Sequence, residues 1–363
     1  MANSCYSSLL LLSVNIFLHL VLVNCKPPLA PALYVFGDSL NDCGNNNHLH
    51  TNAKVNFKPY GVDFPYAKAA SGRFTNGRTF ADFIAQFLGL PLVPAYLGLT
   101  TASRAKITTG INFASGGGGI LAETGIITGN VLSFAKQIGY FNITRRDLSK
   151  KFKTRPKLES YLAKSIFFVS IGSNDYLNNY LQPGHNSSRI YTPQKFADLL
   201  IDSLRKHLTI LYKLGARKFV LYNVGRLGCV PAVVSATKPK PSTPCVEDIN
   251  HMVMLYNSRL PRMLTALEHS LTGSTFVHGD NFNINKSSAE TGFTTTQIPC
   301  CQTTNVTTGL CLPNSTTCRD RSKIVFWDAF HPTEVVNMHE AISCFNATSK
   351  CAPINFEQLA KKK

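Results

Sequence analysis

The chain has 363 residues, 37 Lys and Arg against 20 Asp and Glu, and a formal net charge of +17. It is 44% hydrophobic and only 16% charged, which excludes a disordered chain; the compositional period of collagen and the Ala/Glu/Lys excess of a coiled coil are also absent. A chain of this length buries a large core unaided, and its charge makes nucleic acid a partner to test against the motifs.

Residues 8–25 carry no charge, and the first charged side chain is Lys26. Asn15 and His19 break the apolar run and Lys26-Pro27-Pro28 stops it. Residues 1–25 therefore read as a signal peptide rather than a membrane span, and the protein as exported. Residues 26–363 are expected to form a single domain, since no repeat and no low-complexity linker divides them.

Residues 32–36 (ALYVF) read as a buried strand ending at Gly37. Residues 79–88 read as a helix with Phe80, Phe83, Ile84, Phe87 and Leu88 on one stripe. A short strand at 111–114 runs toward four glycines, Gly116 to Gly119, and a helix follows at 130–144. A strong strand at 165–171 is closed by Gly172. A long helix at 193–214 has Thr192 as N-cap and Pro193 in its first turn. A strand at 218–222, a helix at 246–268, a strand at 274–278 and a helix at 334–344 complete the order. Alternating β and α elements with continuously apolar strands predict a mostly parallel sheet buried on both faces. Ligands of such sheets bind beyond the strands' carboxyl ends, here residues 37–39, 115–119, 172–174 and 223–229.

Nine cysteines lie beyond the leader, so at least one is unpaired. Their local clusters suggest Cys229–Cys245, Cys344–Cys351, and Cys300 and Cys301 bridged to Cys311 and Cys318 in either order. Cys43 is left as the free thiol. Residues 300–318 hold no C-x-x-C and no His, which favours disulfides over zinc and leaves no metal site expected. The Pro-rich stretch 237–244 then reads as a stapled loop rather than a linker. Asn142, Asn186, Asn285, Asn305, Asn314 and Asn346 stand in N-x-S/T sequons, which predicts glycosylated surface loops.

Three pieces carry chemistry. Ser39, in Gly37-Asp38-Ser39, stands on a tight turn at a strand end, with its hydroxyl exposed and its N–H in the crevice, as a nucleophile requires. Asp328 and His331, three apart, place a carboxylate where it can orient an imidazole, with Trp327 and Phe330 lowering the local polarity. Backbone N–H groups of Gly116 or Gly117 and the amide of Asn174 can hold an oxyanion. The G-x-G-x-x-A pattern from Gly117 to Ala122 also fits a dinucleotide fingerprint. No acidic residue after a second strand follows within the next ~20 positions, which argues against it. His48 and His50 lack partner ligands, and Cys43 lacks a partner motif, so a solvated loop and a buried thiol are expected there. The G-x-S-x-G elbow is absent, which requires a fold other than that of the α/β-hydrolases.

These residues resemble the plant GDSL-type esterase/lipase family of the SGNH hydrolase superfamily. The resemblance rests on Phe36-Gly37-Asp38-Ser39-Leu40 with Asp42-x-Gly44-Asn45-Asn46, and on Gly72-Arg73-Phe74-x-Asn76-Gly77-Arg78. It continues through Asn112-Phe113-Ala114-Ser115-Gly116-Gly117 and Ile171-Gly172-Ser173-Asn174-Asp175-Tyr176. Gly215-Ala216-Arg217-Lys218, Gly228-Cys229-x-Pro231 and Phe326-Trp327-Asp328-x-x-His331-Pro332-Thr333-Glu334 complete it, so that it runs from about 33 to 344. Arg226 stands where the family usually carries proline. The resemblance implies a flavodoxin-like α/β/α sandwich with a parallel sheet of about five strands. It also implies Ser39 as nucleophile, His331 as general base and then acid, and Asp328 as its orienting carboxylate. The oxyanion hole would use the Ser39 N–H, Gly116 or Gly117, and Asn174. The reaction implied is ester hydrolysis through an acyl-enzyme, with no cofactor and no metal. Acyl transfer to a sugar or lipid hydroxyl uses the same site, and a catalytically silent binding protein of this fold is the third alternative. No nucleic-acid motif accompanies the charge, whose densest run is 145–157. In an exported hydrolase it fits adhesion to an acidic cell-wall polysaccharide.

Overall fold

The computed structural model describes residues 27–66, 70–283, 292–293, 297–304 and 309–363. The leader at 1–25 and the sequons at Asn285 and Asn305 lie outside the described residues. The run at 32–36 becomes β1, Leu33–Gly37. Helix α1, Phe80–Phe87, starts at Thr79, whose side chain accepts the Asp82 N–H while the Asp82 carboxylate accepts the Thr79 N–H. That reciprocal pair satisfies two donors that a helix start leaves orphaned. Helices α2, Phe134–Phe152, and α3, Arg155–Lys164, precede β2, Ile166–Ser170. Then come α4, Pro193–Lys213, capped by Thr192 as expected, β3, Lys218–Tyr222, α5, Glu247–Ser270, and β4, Thr275–Gly279. Helix α6, Glu334–Asn346, a two-residue β5, Cys351–Ala352, and α7, Phe356–Lys361, end the chain.

Strands β1 to β4 pair side by side in chain order, all parallel, and β5 joins β4 antiparallel. Residues 111–114 do not form a full strand. They run along the free edge of β1, where Val35 N–H donates to the Ile111 carbonyl (3.2 Å) and Phe113 N–H to the Val35 carbonyl (2.8 Å). Counting this segment, the chain steps outward from β1 and returns across it to β2, the order of a flavodoxin-like sheet. Its topological switch point lies between β1 and β2.

Strand alternation sorts the core into two layers. Tyr34, Phe36, Phe167, Val169, Phe219 and Phe276 face α2, α3, α4 and α5. Leu33, Val35, Phe168, Val220 and Val277 face α1, α6 and α7. Both faces are covered, which explains why the strands read as unbroken apolar runs. The β3 exception is Lys218, whose ammonium donates to the Ala360 (3.0 Å) and Lys362 (2.5 Å) carbonyls and so holds the end of α7.

Disulfides join Cys229–Cys245, Cys344–Cys351, Cys300–Cys318 and Cys301–Cys311, which nests the last two. Cys43 is a buried free thiol that donates to the Val93 carbonyl. Two sequons depart from the surface loops expected: Asn142 sits half-buried inside α2, and Asn346 is the exposed last residue of α6. The α2 stripe of Phe134, Ile138 and Phe141 extends helix through the first of them. Asn186 and Asn314 are exposed outside the long helices.

Candidate active site

Beyond β1 the chain turns sharply. The Asp38 carbonyl accepts the Asn41 (3.2 Å) and Asp42 (3.0 Å) N–H groups, and the Asp38 side chain accepts that of Leu40 (3.1 Å). This turn leaves Ser39 in a cleft of about 240 Å³ shared with His331, Asn174, Gly117 and the apolar side chains of Leu227, Phe282 and Phe330. On the other side, Trp327 N–H donates to the His331 carbonyl (2.8 Å), and Asp328 Oδ1 accepts the N–H groups of Phe330 and His331 (2.8 Å each). Asp328 and His331, three apart as across a helical turn, lie instead in a closed loop ahead of α6, held by its own carboxylate.

The two halves meet at His331. Its Nε2 lies 2.8 Å from Ser39 Oγ, and its Nδ1 lies 2.8 Å from both carboxylate oxygens of Asp328. Asp328 is fully buried and His331 is 7% exposed, so water competes weakly for these bonds. An imidazole held between a hydroxyl and a carboxylate can take the hydroxyl proton while the carboxylate stabilises the resulting charge.

The glycine segment is clamped at both ends by buried carboxylates. Asp42 accepts the N–H groups of Gly44 (2.8 Å) and Asn45 (2.7 Å) on Oδ1, and of Asn46 (3.3 Å) and Gly116 (3.0 Å) on Oδ2. Asp175 accepts the N–H groups of Ile120 (2.8 Å) and Leu121 (3.0 Å) and the Thr124 hydroxyl (2.7 Å). Gly116 N–H is therefore already engaged. Gly117 N–H and Ser39 N–H have no hydrogen-bond partner among the described residues. Gly117 has φ +79, where a side chain is strained, and a Cβ there would press on Thr128 Oγ1 at 3.1 Å. Asn174 sits just past β2, its amide donating to the Gly118 carbonyl (3.0 Å) and its oxygen accepting from Asn178 (2.7 Å). One of the two amide hydrogens remains for a ligand.

Burial pushes the carboxyl of Asp38 up to about 7, opposed by the Leu40 N–H and the nearby His331, and those of Asp42 and Asp175 up to about 6. Burial also raises the Cys43 thiol far above its ordinary range, so it stays protonated and inert. His48 and His50 are exposed, and no group of three metal-ligating side chains gathers among the described residues. Arg226 forms an ion pair, its Nη2 donating to both Glu247 oxygens (2.9 and 3.0 Å).

The family description GDSL-like Lipase/Acylhydrolase matches residues 33–341. The chain belongs to this family. It is a hydrolase of ester bonds. Among its relatives, GDSL esterase/lipase 7 of Arabidopsis thaliana is 43% identical over 342 residues, covering 92% of this chain and 93% of that protein. GDSL esterase/lipase At5g08460 of the same plant is 42% identical over 91% of this chain and 88% of its own length. GDSL esterase/lipase At4g16230 is 40% identical over 98% and 97%.

One contact of the site has no sequence signature. The Tyr60 hydroxyl donates to Asp328 Oδ2 at 2.6 Å. Nothing in its local sequence marks it, because the partner lies 268 positions away. Asp42 and Asp175 lie in the Asp42-x-Gly44 and Asn174-Asp175 patterns, and only the structure shows what they hold.

Proposed function

We propose that this GDSL hydrolase is a secreted serine esterase that forms an acyl-enzyme at Ser39. The observation that carries the reading is His331 bridging Ser39 Oγ and Asp328 at 2.8 Å on each side. His331 takes the Ser39 proton as Oγ attacks the ester carbonyl. The oxyanion is held by the N–H groups of Ser39 and Gly117 and the Asn174 amide. His331 then passes its proton to the departing alkoxide. Water, deprotonated by the same imidazole, attacks the acyl carbon and releases the acid, with the proton returned to Ser39. Asp328 keeps the imidazole in the tautomer that presents an unprotonated Nε2 to the serine. The apolar cleft suits an acyl or aryl group beside the reacting carbon.

Residues 26–363 form the hydrolase unit in this reading, after removal of the leader. Four disulfides suit an oxidising compartment, and no helix among the described residues is long and apolar enough to cross a membrane. Exposed Lys150, Lys151, Lys153 and Lys157, where α2 passes into α3, suit an acidic wall polysaccharide.

Replacing Ser39 with Ala should abolish p-nitrophenyl acetate turnover and labelling by a fluorophosphonate. A Ser39→Ala protein that still turns over the ester removes Ser39 from the chemistry.

A further inference from the structure

Tyr60 is 1% exposed and packs edge-on against Trp327 and Phe74, with ring centroids 6.4 Å away in both cases. Its hydroxyl has two partners. Cys311 N–H lies 2.9 Å away and can only donate, so the phenol oxygen accepts from it. The phenol's single proton then goes to Asp328 Oδ2 at 2.6 Å, a charge-assisted bond whose direction the geometry fixes. Burial and the neighbouring Asp328 raise the phenol well above its ordinary range, so it remains a donor at any pH the enzyme meets.

The anchor of this bond is itself constrained. Cys311 is disulfide-bonded to Cys301, and the Cys301 N–H donates to the Trp327 carbonyl (3.1 Å), the residue before Asp328. One cross-linked hairpin therefore holds both the backbone beside Asp328 and the phenol above its carboxylate. The chain of contacts runs from Cys311 through Tyr60, Asp328 and His331 to Ser39.

We propose that Tyr60 is a positioning residue of this esterase, which fixes the second oxygen of Asp328 and draws charge from it, and so tunes the basicity of His331. The proposal rests on the Ser39–His331–Asp328 reading above. Asp328 Oδ1 is already held by the Phe330 and His331 N–H groups; Tyr60 is the group that holds Oδ2 from outside that loop. Without it Oδ2 keeps only the His331 Nδ1 contact, the carboxylate is held less firmly, and its undiluted charge stabilises the imidazolium more strongly.

The test is Tyr60→Phe in the full chain, assayed on p-nitrophenyl acetate across pH. The expected result is a kcat lower by about ten-fold with KM unchanged, since a carboxylate held less firmly orients the imidazole less well for proton transfer, which outweighs its greater basicity. The acid limb of kcat/KM should move to higher pH, because the imidazolium is then better stabilised. Asp38, the other buried carboxyl near His331, is the same in parent and variant, so the displacement reports Tyr60. In an Asp328→Ala background the Tyr60→Phe change should have no further effect on kcat, whereas a merely structural role would multiply the two losses. If Tyr60→Phe does not fold, 3-fluorotyrosine at position 60 keeps the hydroxyl, donates more strongly, and should move the acid limb to lower pH. An unmoved acid limb in the folded variant, or losses that multiply with Asp328→Ala, overturns the role of Tyr60. If Ser39→Ala retains turnover, the triad reading falls first and this inference with it.

Discussion

Asp42→Asn separates the placing of the glycine turn from the stability of the fold. Asp42 is fully buried and accepts four backbone N–H groups, two on each oxygen. An asparagine keeps the Oδ1 bonds to Gly44 and Asn45. It puts an NH2 where Oδ2 faced the N–H groups of Asn46 and Gly116, so two donors lose their acceptor. At about 1–3 kcal/mol for each buried donor left unpaired, Gly116 is pushed from its place. Removing the charge works the other way. Burial raises this carboxyl to about 6, so its ionised form costs the fold about 3 kcal/mol at neutral pH, and the amide is free of that cost. The two effects oppose each other in stability, but only the first displaces Gly116 and so bears on activity. Gly117 follows Gly116, and misplacing one oxyanion donor should lower kcat by roughly ten- to a hundred-fold, short of the ~10²–10³ seen when a donor is deleted. Steady-state hydrolysis of p-nitrophenyl acetate, with a melting curve on the same sample, measures both. A folded Asp42→Asn protein with the parental kcat would refute the reasoning, as would a loss explained entirely by unfolding.

Two further outcomes are expected. Burial raises the carboxyls of Asp38 and Glu340 to about 7 and those of Asp42 and Asp175 to about 6. All four bind more protons folded than unfolded, so their contribution to stability is full below ~pH 4 and is lost as pH rises through 6 to 7. Half-buried His207 and His278, lowered by desolvation, act in the opposite sense below their unfolded value, but they are two against four. The protein should therefore melt a few degrees higher at about pH 5.5 than at about pH 8, from roughly 2–3 kcal/mol of net proton linkage; an equal or lower melting temperature at the acid pH would contradict this. The basic surface at the α2–α3 junction should retain the protein on immobilised pectin and release it at moderate salt, and retention indifferent to salt would count against an electrostatic contact.

The sheet and the long helices were legible in the sequence because their signals are local. A strand such as 218–222, buried on both faces, reads as an apolar run broken only by Lys218 at its start, and the structure returns it with the same bounds as β3. Thr192 and Pro193 mark the start of α4 by their own backbone chemistry. Ser39, Asp328, His331 and Asn174 were legible because they sit in short patterned blocks at strand ends and before a helix. Helix α3 was missed: Leu158 and Leu162 are its buried pair, and a mostly polar segment shows little period. The two-residue β5 was missed because its ladder is set by β4 and the Cys344–Cys351 bridge rather than by its own side chains. Which cysteine of 300 and 301 meets which partner, and which glycine N–H stays free, depended on distances across the fold that spacing does not encode. The hold on Asp328 is the clearest such case. A phenol 268 positions away meets that carboxylate where the disulfide hairpin packs against the loop. Hydrogen bonds between distant segments have no period to read, so the chain's own pattern marks the candidate catalytic groups and the tertiary structure alone decides what holds them.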